Sequence, residues 1–453
     1  MKPEPLNSTT VPEKTHWATV NPCVACAPLG ASLVFKGMQG CMSILHGSQG
    51  CATYIRRFLI SHFREPIDIA SSSFTEETVV FGGEINLRNA VHAVYTTYKP
   101  HIIGIATTCL AETIGEDIDM LVAKIKSEFA DKNVEIIAVH APSYKDSHVG
   151  GYDNAIQAVL KTMSRKNKAT YCCAVIPCML SPHDLRTVKE LAKLYNVPLI
   201  LFPDYSETLD AGLWDSYTAI PSGGTKREDI EDLCGAGLII DWTALGAGKE
   251  CAAQNNVSYL HTLPPIGIKP TDLFCEALSM VSGVAMPKIL QEERARLLDS
   301  YVDGHKYCSG ATVAICCDEP LVRALTLFCL EIGMIPKLVA TGRAEKDFAE
   351  FIKGKCKDIA EDAVVMPNAD FDRIDDVLGQ SGIDLCIGTS KLQRFSEKRN
   401  IPLVRVGFPI HDRFGASRVA LIGYRGTQQL FDRIVNELIA ARQSGAQEQW
   451  SYV

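Results

Sequence analysis

The chain has 453 residues, 47% of them hydrophobic and 22% charged, with Lys plus Arg 45 against Asp plus Glu 53 and a net charge of −8. At roughly 100 to 200 residues per domain this is about three domains, and the composition excludes wholesale disorder. No basic surplus points to nucleic acid as a partner, and no apolar run reaches the length of about 18 residues that a membrane span needs.

In chain order, residues 1–20 form a polar arm without an apolar signal region, so a cytoplasmic location is expected. Apolar β-rich runs then alternate with amphipathic stretches. HIIGIATT (101–108) leads to the helical EDIDMLVAKIKSEFA and to VEIIAVHAP (134–142). Next come the helix DNAIQAVLKTMSRK, the run TYCCAVIP, the helix HDLRTVKELAKLYN and VPLILFPD (197–204). LIIDW (238–242) and VSYLHTLP (257–264) open a second series. The long helix KILQEERARLLDSYVDGHKYCSG precedes a third, with ATVAICCDEP (311–320), IPKLVATG, IDLCIGTS and IPLVRVGFP (401–409). Near-continuous apolar strands separated by helices predict parallel sheets covered on both faces. The expected architecture is α/β: three doubly wound, Rossmann-like domains over 21–165, 166–285 and 286–453, the last closed by a C-terminal helix. Ligands then belong outside the carboxyl ends of the strands.

Several chemistries are absent. There is no G-x-G-x-x-G after a strand, no P-loop, no H-E-x-x-H and no paired C-x-x-C, which argues against dinucleotide binding, ATP hydrolysis and zinc. The 17 Cys are the anomaly. With no signal region, reduced thiols are expected rather than a disulfide scaffold, and soft-metal or iron–sulfur ligation becomes a candidate. Cys172, Cys173, Cys178, Cys234, Cys275, Cys316, Cys317, Cys329 and Cys386 fall mostly inside apolar strands or helices and read as core. Three others do not. Cys26 closes the C-x-x-C that Cys23 opens, in NPCVACAPLGA. Cys51 ends the Gly-rich turn LHGSQGC ahead of the helix CATYIRRFLISHF, where the helix N-terminus and Arg56 and Arg57 favour a thiolate. Cys109 follows the strand HIIGIATT. Ser147, in PSYKDSHVGGYDN, sits in a further strand-to-helix loop, where an N-cap is its simplest role.

Cys26 in C-A-P-L-G, Cys51 in H-G-S-Q-G-C, Cys109 in T-T-C-L-A-E-T-I-G and Ser147 in S-H-V-G-G-Y together resemble the β-type subunits of nitrogenase component 1 and its relatives. The resemblance continues in order through SHFREP, FGG, LFPDYSETLD, IPSGGT, PPIG, VRVGFPIHDRFG and GYRG, over nearly the whole chain. It implies that Cys26, Cys51 and Cys109 ligate half of an interface iron–sulfur cluster, P-cluster-type with eight irons or a four-iron form, shared with an α-type subunit. Ser147 resembles a serine that ligates the oxidised cluster, and Ser48 and Tyr54 match positions beside it. The resemblance further implies an α2β2 complex fed by an ATP-dependent iron-protein reductase, with the active-site cofactor in the α-type partner and dinitrogen or carbon–sulfur compounds as substrates. Asp299 and Asp303, one turn apart on a helix, resemble a pair that binds a divalent ion between two β subunits with Glu65 and the carbonyl of Arg64; a solvated carboxylate face is the alternative. The other function weighed is the β-type subunit of a cofactor-assembly scaffold. A metal-free interaction subunit is the third.

Overall fold

The structure, a computed structural model, describes residues 23–165, 170–357 and 359–445. The arm at 1–20 lies outside them. Among the described residues thirteen strands fall into three all-parallel sheets. The first holds β1 (Cys41–His46), β2 (Ile69–Ser71), β3 (Ile102–Thr107) and β4 (Glu135–Val139) in the order β2-β1-β3-β4. The second holds β5 (Thr170–Ile176), β6 (Leu199–Leu201), β7 (Ala236–Asp241) and β8 (Ser258–His261) in the order β6-β5-β7-β8. The third holds β9 (Thr312–Cys316), β10 (Ile335–Ala340), β11 (Val364–Met366), β12 (Leu385–Gly388) and β13 (Leu403–Arg405) in the order β11-β10-β9-β12-β13. Each order reverses once, so each sheet has a crevice where successive connections leave to opposite sides.

Burial explains why these runs became strands. All six residues of β1 and of β3 are buried, as a sheet covered on both faces requires. The largest buried cluster draws on all three sheets, including Leu45, Ile176, Ile240, Val313 and Ile387, so the three units share one continuous core. Helices α1 (Ala27–Lys36), α2 (Gln49–Phe63), α3 (Cys109–Thr113) and α4 (His148–Met163) serve the first sheet. Further along, α5 (Lys288–Cys308) packs against the C-terminal helix α7 (Gly423–Gly445), with α6 (Glu319–Glu331) following β9.

The strand reading of the sequence omits β1, β2 and β11. Two of these are three-residue strands at sheet edges. β1 is CMSILH, whose Ser43 and His46 break the apolar run although both are buried. Helix α4 starts at His148, ahead of the DNAIQ pattern that marks it, because Gly150 and Gly151 weaken the helical signal there. The buried thiols are core as expected, and two of them, Cys234 and Cys251, with Cα atoms 5.7 Å apart, are paired as a disulfide. Both are buried in the main core, as expected for Cys234, and the packing beside β7 brings them together; a single pair is not a disulfide scaffold. No helix among the described residues is long and apolar enough to cross a membrane.

Candidate metal centre

Two of the three cysteines come from the crevice of the first sheet. β1 ends at His46 and Cys51 follows in the first turn of α2, while β3 ends at Thr107 and Cys109 opens α3. The two turns touch. The Thr108 N–H and hydroxyl both donate to the His46 carbonyl, at 3.1 and 3.0 Å. A Cβ on Gly47 would lie 2.0 Å from Thr108 Oγ1, so glycine is what lets the turns close.

Cys26 arrives from another direction. It is the extended residue ahead of α1 and pairs in an antiparallel bridge with Ser147, the extended residue ahead of α4. The His148 N–H donates to the Ala25 carbonyl at 3.0 Å, and the Ala25 N–H donates to His148 Nδ1 at 3.2 Å. The two helices then run backbone against backbone. A Cβ on Gly30 would lie 1.9 Å from the His148 carbonyl oxygen, and one on Gly151 2.0 Å from that of Ala27. The glycines of APLG and VGGY therefore fix how Cys26 stands over the sheet.

These thiols differ from the core ones. Cys26 is exposed, and Cys51 and Cys109 are half-buried. Partial burial pushes the Cys26 thiol up, a hydrogen bond from Ser143 holds it down, and Cys109 and Cys51 beside it push it up again. Three neighbouring thiolates oppose one another unless positive charge lies among them, and iron supplies that charge to soft sulfur ligands. Ser143 knits the group together: its N–H donates to Cys109 Sγ at 3.2 Å, and its hydroxyl accepts from the Ala27 N–H at 3.1 Å. Among the described residues no three His, Cys, Asp or Glu side chains converge on one ion. Three neighbouring sulfurs with a hydroxyl beside them are a donor set that fits an iron–sulfur group.

Ser143 is the residue that the sequence reading misses. The Ser147 hydroxyl accepts from the Val149 N–H at 3.2 Å, capping α4, whereas Ser143 stands between two of the cysteines. A usable signal existed, since Ser143 is the first hydroxyl past the carboxyl end of β4. Ser48 lies beside the site with its oxygen 3.7 Å from Cys51 Sγ, and Tyr54 is 60% exposed, so packing is not its role within the chain. Arg56 spends its guanidinium on the Ile67 carbonyl at 2.7 Å and on Asp68 at 3.5 Å, not on the thiol. Cys23 parts company with Cys26: its N–H donates to the Ala369 carbonyl at 3.2 Å and it packs on the third-sheet cluster with Cys316 and Cys386.

The other predicted residues are not gathered within one chain. Arg64 ends α2 in the left-handed region, and Glu65 accepts from the Ala211 N–H while burial and Asp210 push its carboxyl up. Asp299 and Asp303 are exposed on α5.

Known proteins resemble this chain over nearly its whole length. Residues 26–439 match the family model described as nitrogenase component 1 type oxidoreductase. The nitrogenase molybdenum-iron protein beta chain of Clostridium pasteurianum is 35% identical over 93% of this chain and 93% of its own length. The vanadium-iron protein beta chain of Trichormus variabilis is 33% identical over 97% and 98%. A chain of the solved structure "Nitrogenase Cp1 at pH 6.5" superposes with a TM-score of 0.93 at 34% identity, covering 97% of this chain and 98% of that one. The chain accordingly belongs to the nitrogenase component 1 type oxidoreductases, as the β-type subunit of a nitrogenase-like complex.

Proposed function

We propose that this chain holds half of a P-cluster-type iron–sulfur cluster at its interface with an α-type subunit, within an α2β2 complex of the cytoplasm. Electrons pass through that cluster from an ATP-dependent iron-protein reductase toward a cofactor in the α-type partner, where dinitrogen or a carbon–sulfur compound is reduced. The observation that carries the reading is the set of three accessible thiols, Cys26, Cys51 and Cys109, drawn together at the carboxyl end of the first sheet while the other described cysteines except Cys23 are buried. A bound cluster supplies one-electron transfer whose potential answers to hydrogen bonds at its sulfurs.

The chain's own residues do the rest. Cys26, Cys51 and Cys109 hold iron as thiolates, and the Ser143 N–H hydrogen bond withdraws charge from the Cys109 sulfur. The Ser143 hydroxyl, rather than that of Ser147, is the oxygen offered to iron, since Ser143 stands between Cys26 and Cys109 while Ser147 caps its helix. A reductase has a surface to meet. Val80, Phe81 and Ile85 form an exposed apolar group, with Phe81 82% exposed. Glu116 ties this segment to the sheet, accepting from the Gly83 N–H and lying 3.4 Å from His46 at the end of β1. The same reading places a divalent ion between two β subunits, where Asp299 and Asp303 of one copy would meet Glu65 and the Arg64 carbonyl of another.

Anaerobic co-purification with the native α-type partner, followed by iron and sulfide quantification, tests the reading. Iron and sulfide matching an eight-iron cluster per αβ pair support it. A four-iron content would make the chain part of an assembly scaffold, and an iron-free complex would refute the site.

A further inference from the structure

We propose that Asp318, at the carboxyl end of the third sheet, is a positioning residue that acts through His148 on the loop carrying Cys26. This inference rests on the reading of Cys26 as an iron ligand.

His148 and Asp318 are both buried, 3% and 7% exposed, and His148 Nε2 lies 2.9 Å from Asp318 Oδ1. The other ring nitrogen, Nδ1, accepts from the Ala25 N–H. A neutral imidazole that accepts at Nδ1 carries its hydrogen on Nε2, so the ring turns its donor toward the carboxylate. That contact is out of line for a full hydrogen bond, and Asp318 Oδ2 is buried without a partner. The carboxylate is therefore an exposed charge in electrostatic terms although it is hidden from water.

The position of Asp318 sharpens the point. It stands at the N-cap of α6, in the extended conformation that suits a capping aspartate, yet its side chain does not cap the helix. It forgoes that stabilisation and faces His148 instead. His148 in turn grips Ala25 at both its N–H and its carbonyl, and Cys26 is the next residue. The third domain holds the same segment at a second point, where Gly342 would carry a Cβ only 2.4 Å from the Cys23 carbonyl oxygen. Residues 23–26 are thus clamped from the third sheet while their cysteine serves the first. Groups behind a ligand set its orientation and the electron affinity of what it holds. A buried carboxylate short of donors disfavours added negative charge nearby, so it lowers the potential at which the site takes an electron.

The test uses the anaerobically purified complex with its native α-type partner, comparing wild type, Asp318→Asn, Asp318→Glu and His148→Gln. Iron content and a redox titration followed by EPR are the readouts. Asp318→Asn is expected to keep its iron and to show a higher midpoint potential, with Asp318→Glu returning toward wild type. His148→Gln keeps a donor for Asp318 but loses the acceptor for Ala25, and is expected to broaden the EPR signal and lower iron retention. If Asp318→Asn fails to assemble, His148→Asn, which keeps the acceptor for Ala25 but withdraws the imidazole from Asp318 and so leaves that carboxylate less compensated, is expected to keep its iron and to shift the midpoint potential downward. An iron-loaded wild type whose variants titrate at the wild-type potential with an unchanged signal overturns the proposal. An iron-free wild type overturns instead the reading on which it rests.

Discussion

Replacing Gly151 by alanine would press a methyl group into the backbone of α1. The new Cβ would stand 2.0 Å from the Ala27 carbonyl oxygen, 2.6 Å from its carbon and 2.8 Å from its Cα, where ordinary contact begins near 3.4 Å. Backbone atoms cannot rotate away as a side chain could, so α1 must retreat from α4 by more than an ångström. Overpacking of this kind costs about 1–3 kcal/mol, and a clash with main chain belongs at the upper end. With an unfolding entropy of about 2 cal/mol/K per residue, a chain of 453 residues that unfolds as one core loses about 1 °C per kcal/mol, so the melting temperature is expected to fall by about 3 °C. Iron is expected to fall with it, because Ala27 follows Cys26 directly. The control is Gly354→Ala, in the helix Phe348–Cys356, where an added Cβ meets nothing within 4 Å. There the exchange is expected to be neutral or to stabilise by up to about 1 kcal/mol through helix propensity. Differential scanning calorimetry with anaerobic iron assay measures both. A Gly151→Ala protein that melts with wild type and keeps its iron would refute the account of how Cys26 is positioned.

Three further outcomes are expected. Ser143→Ala removes the hydroxyl beside Cys26 and is expected to alter the EPR spectrum of the oxidised complex, whereas Ser147→Ala costs about 1 kcal/mol of helix capping and leaves the spectrum alone; the reverse pattern would restore Ser147 as the ligand. Phe81→Asp is expected to reduce electron delivery from the iron-protein reductase at unchanged iron content, and equal turnover in wild type and variant would remove this patch from the docking surface. His62 is buried with Nδ1 accepting from the Ile410 N–H at 2.8 Å, and burial, with help from His411, holds its imidazole neutral down to about 3. The unfolded chain takes up that proton near pH 6.5 and the folded one does not, so the stability tied to His62 is full above about pH 6.5 and falls below it by about 1.4 kcal/mol per pH unit. Urea midpoints at pH 7.5 and 5.5 are expected to differ less for His62→Gln than for wild type, and parallel shifts would contradict this.

Long apolar runs such as HIIGIATT and ATVAIC are legible because a strand buried on both faces cannot hide its composition. The short edge strands β2 and β11 are not, since three residues carry too little pattern. The site divides in the same way. Cys109 follows a strand directly, and the crevice rule finds it from sequence; Cys51 is legible instead from the Gly-rich turn ahead of its helix, since β1 escapes the strand reading. Cys26 owes its place to Gly30 and Gly151, which permit two helices to touch, and that close approach is written only in three dimensions. Ser143 and Ser147 are both hydroxyls in one loop; which of them caps a helix and which faces the thiols depends on where α4 begins. The split of Cys23 from Cys26 has the same origin, for spacing alone does not say that one sulfur packs on the third sheet.

The most direct test of the central claim, that Cys26, Cys51 and Cys109 hold half of an interface cluster, is EPR of the anaerobic complex in reduced and oxidised states, with Cys51→Ala beside wild type. The account expects wild type to be silent when reduced and to show a signal on oxidation, and Cys51→Ala to lose that signal along with iron. A Cys51→Ala complex with wild-type iron and a wild-type spectrum would contradict it.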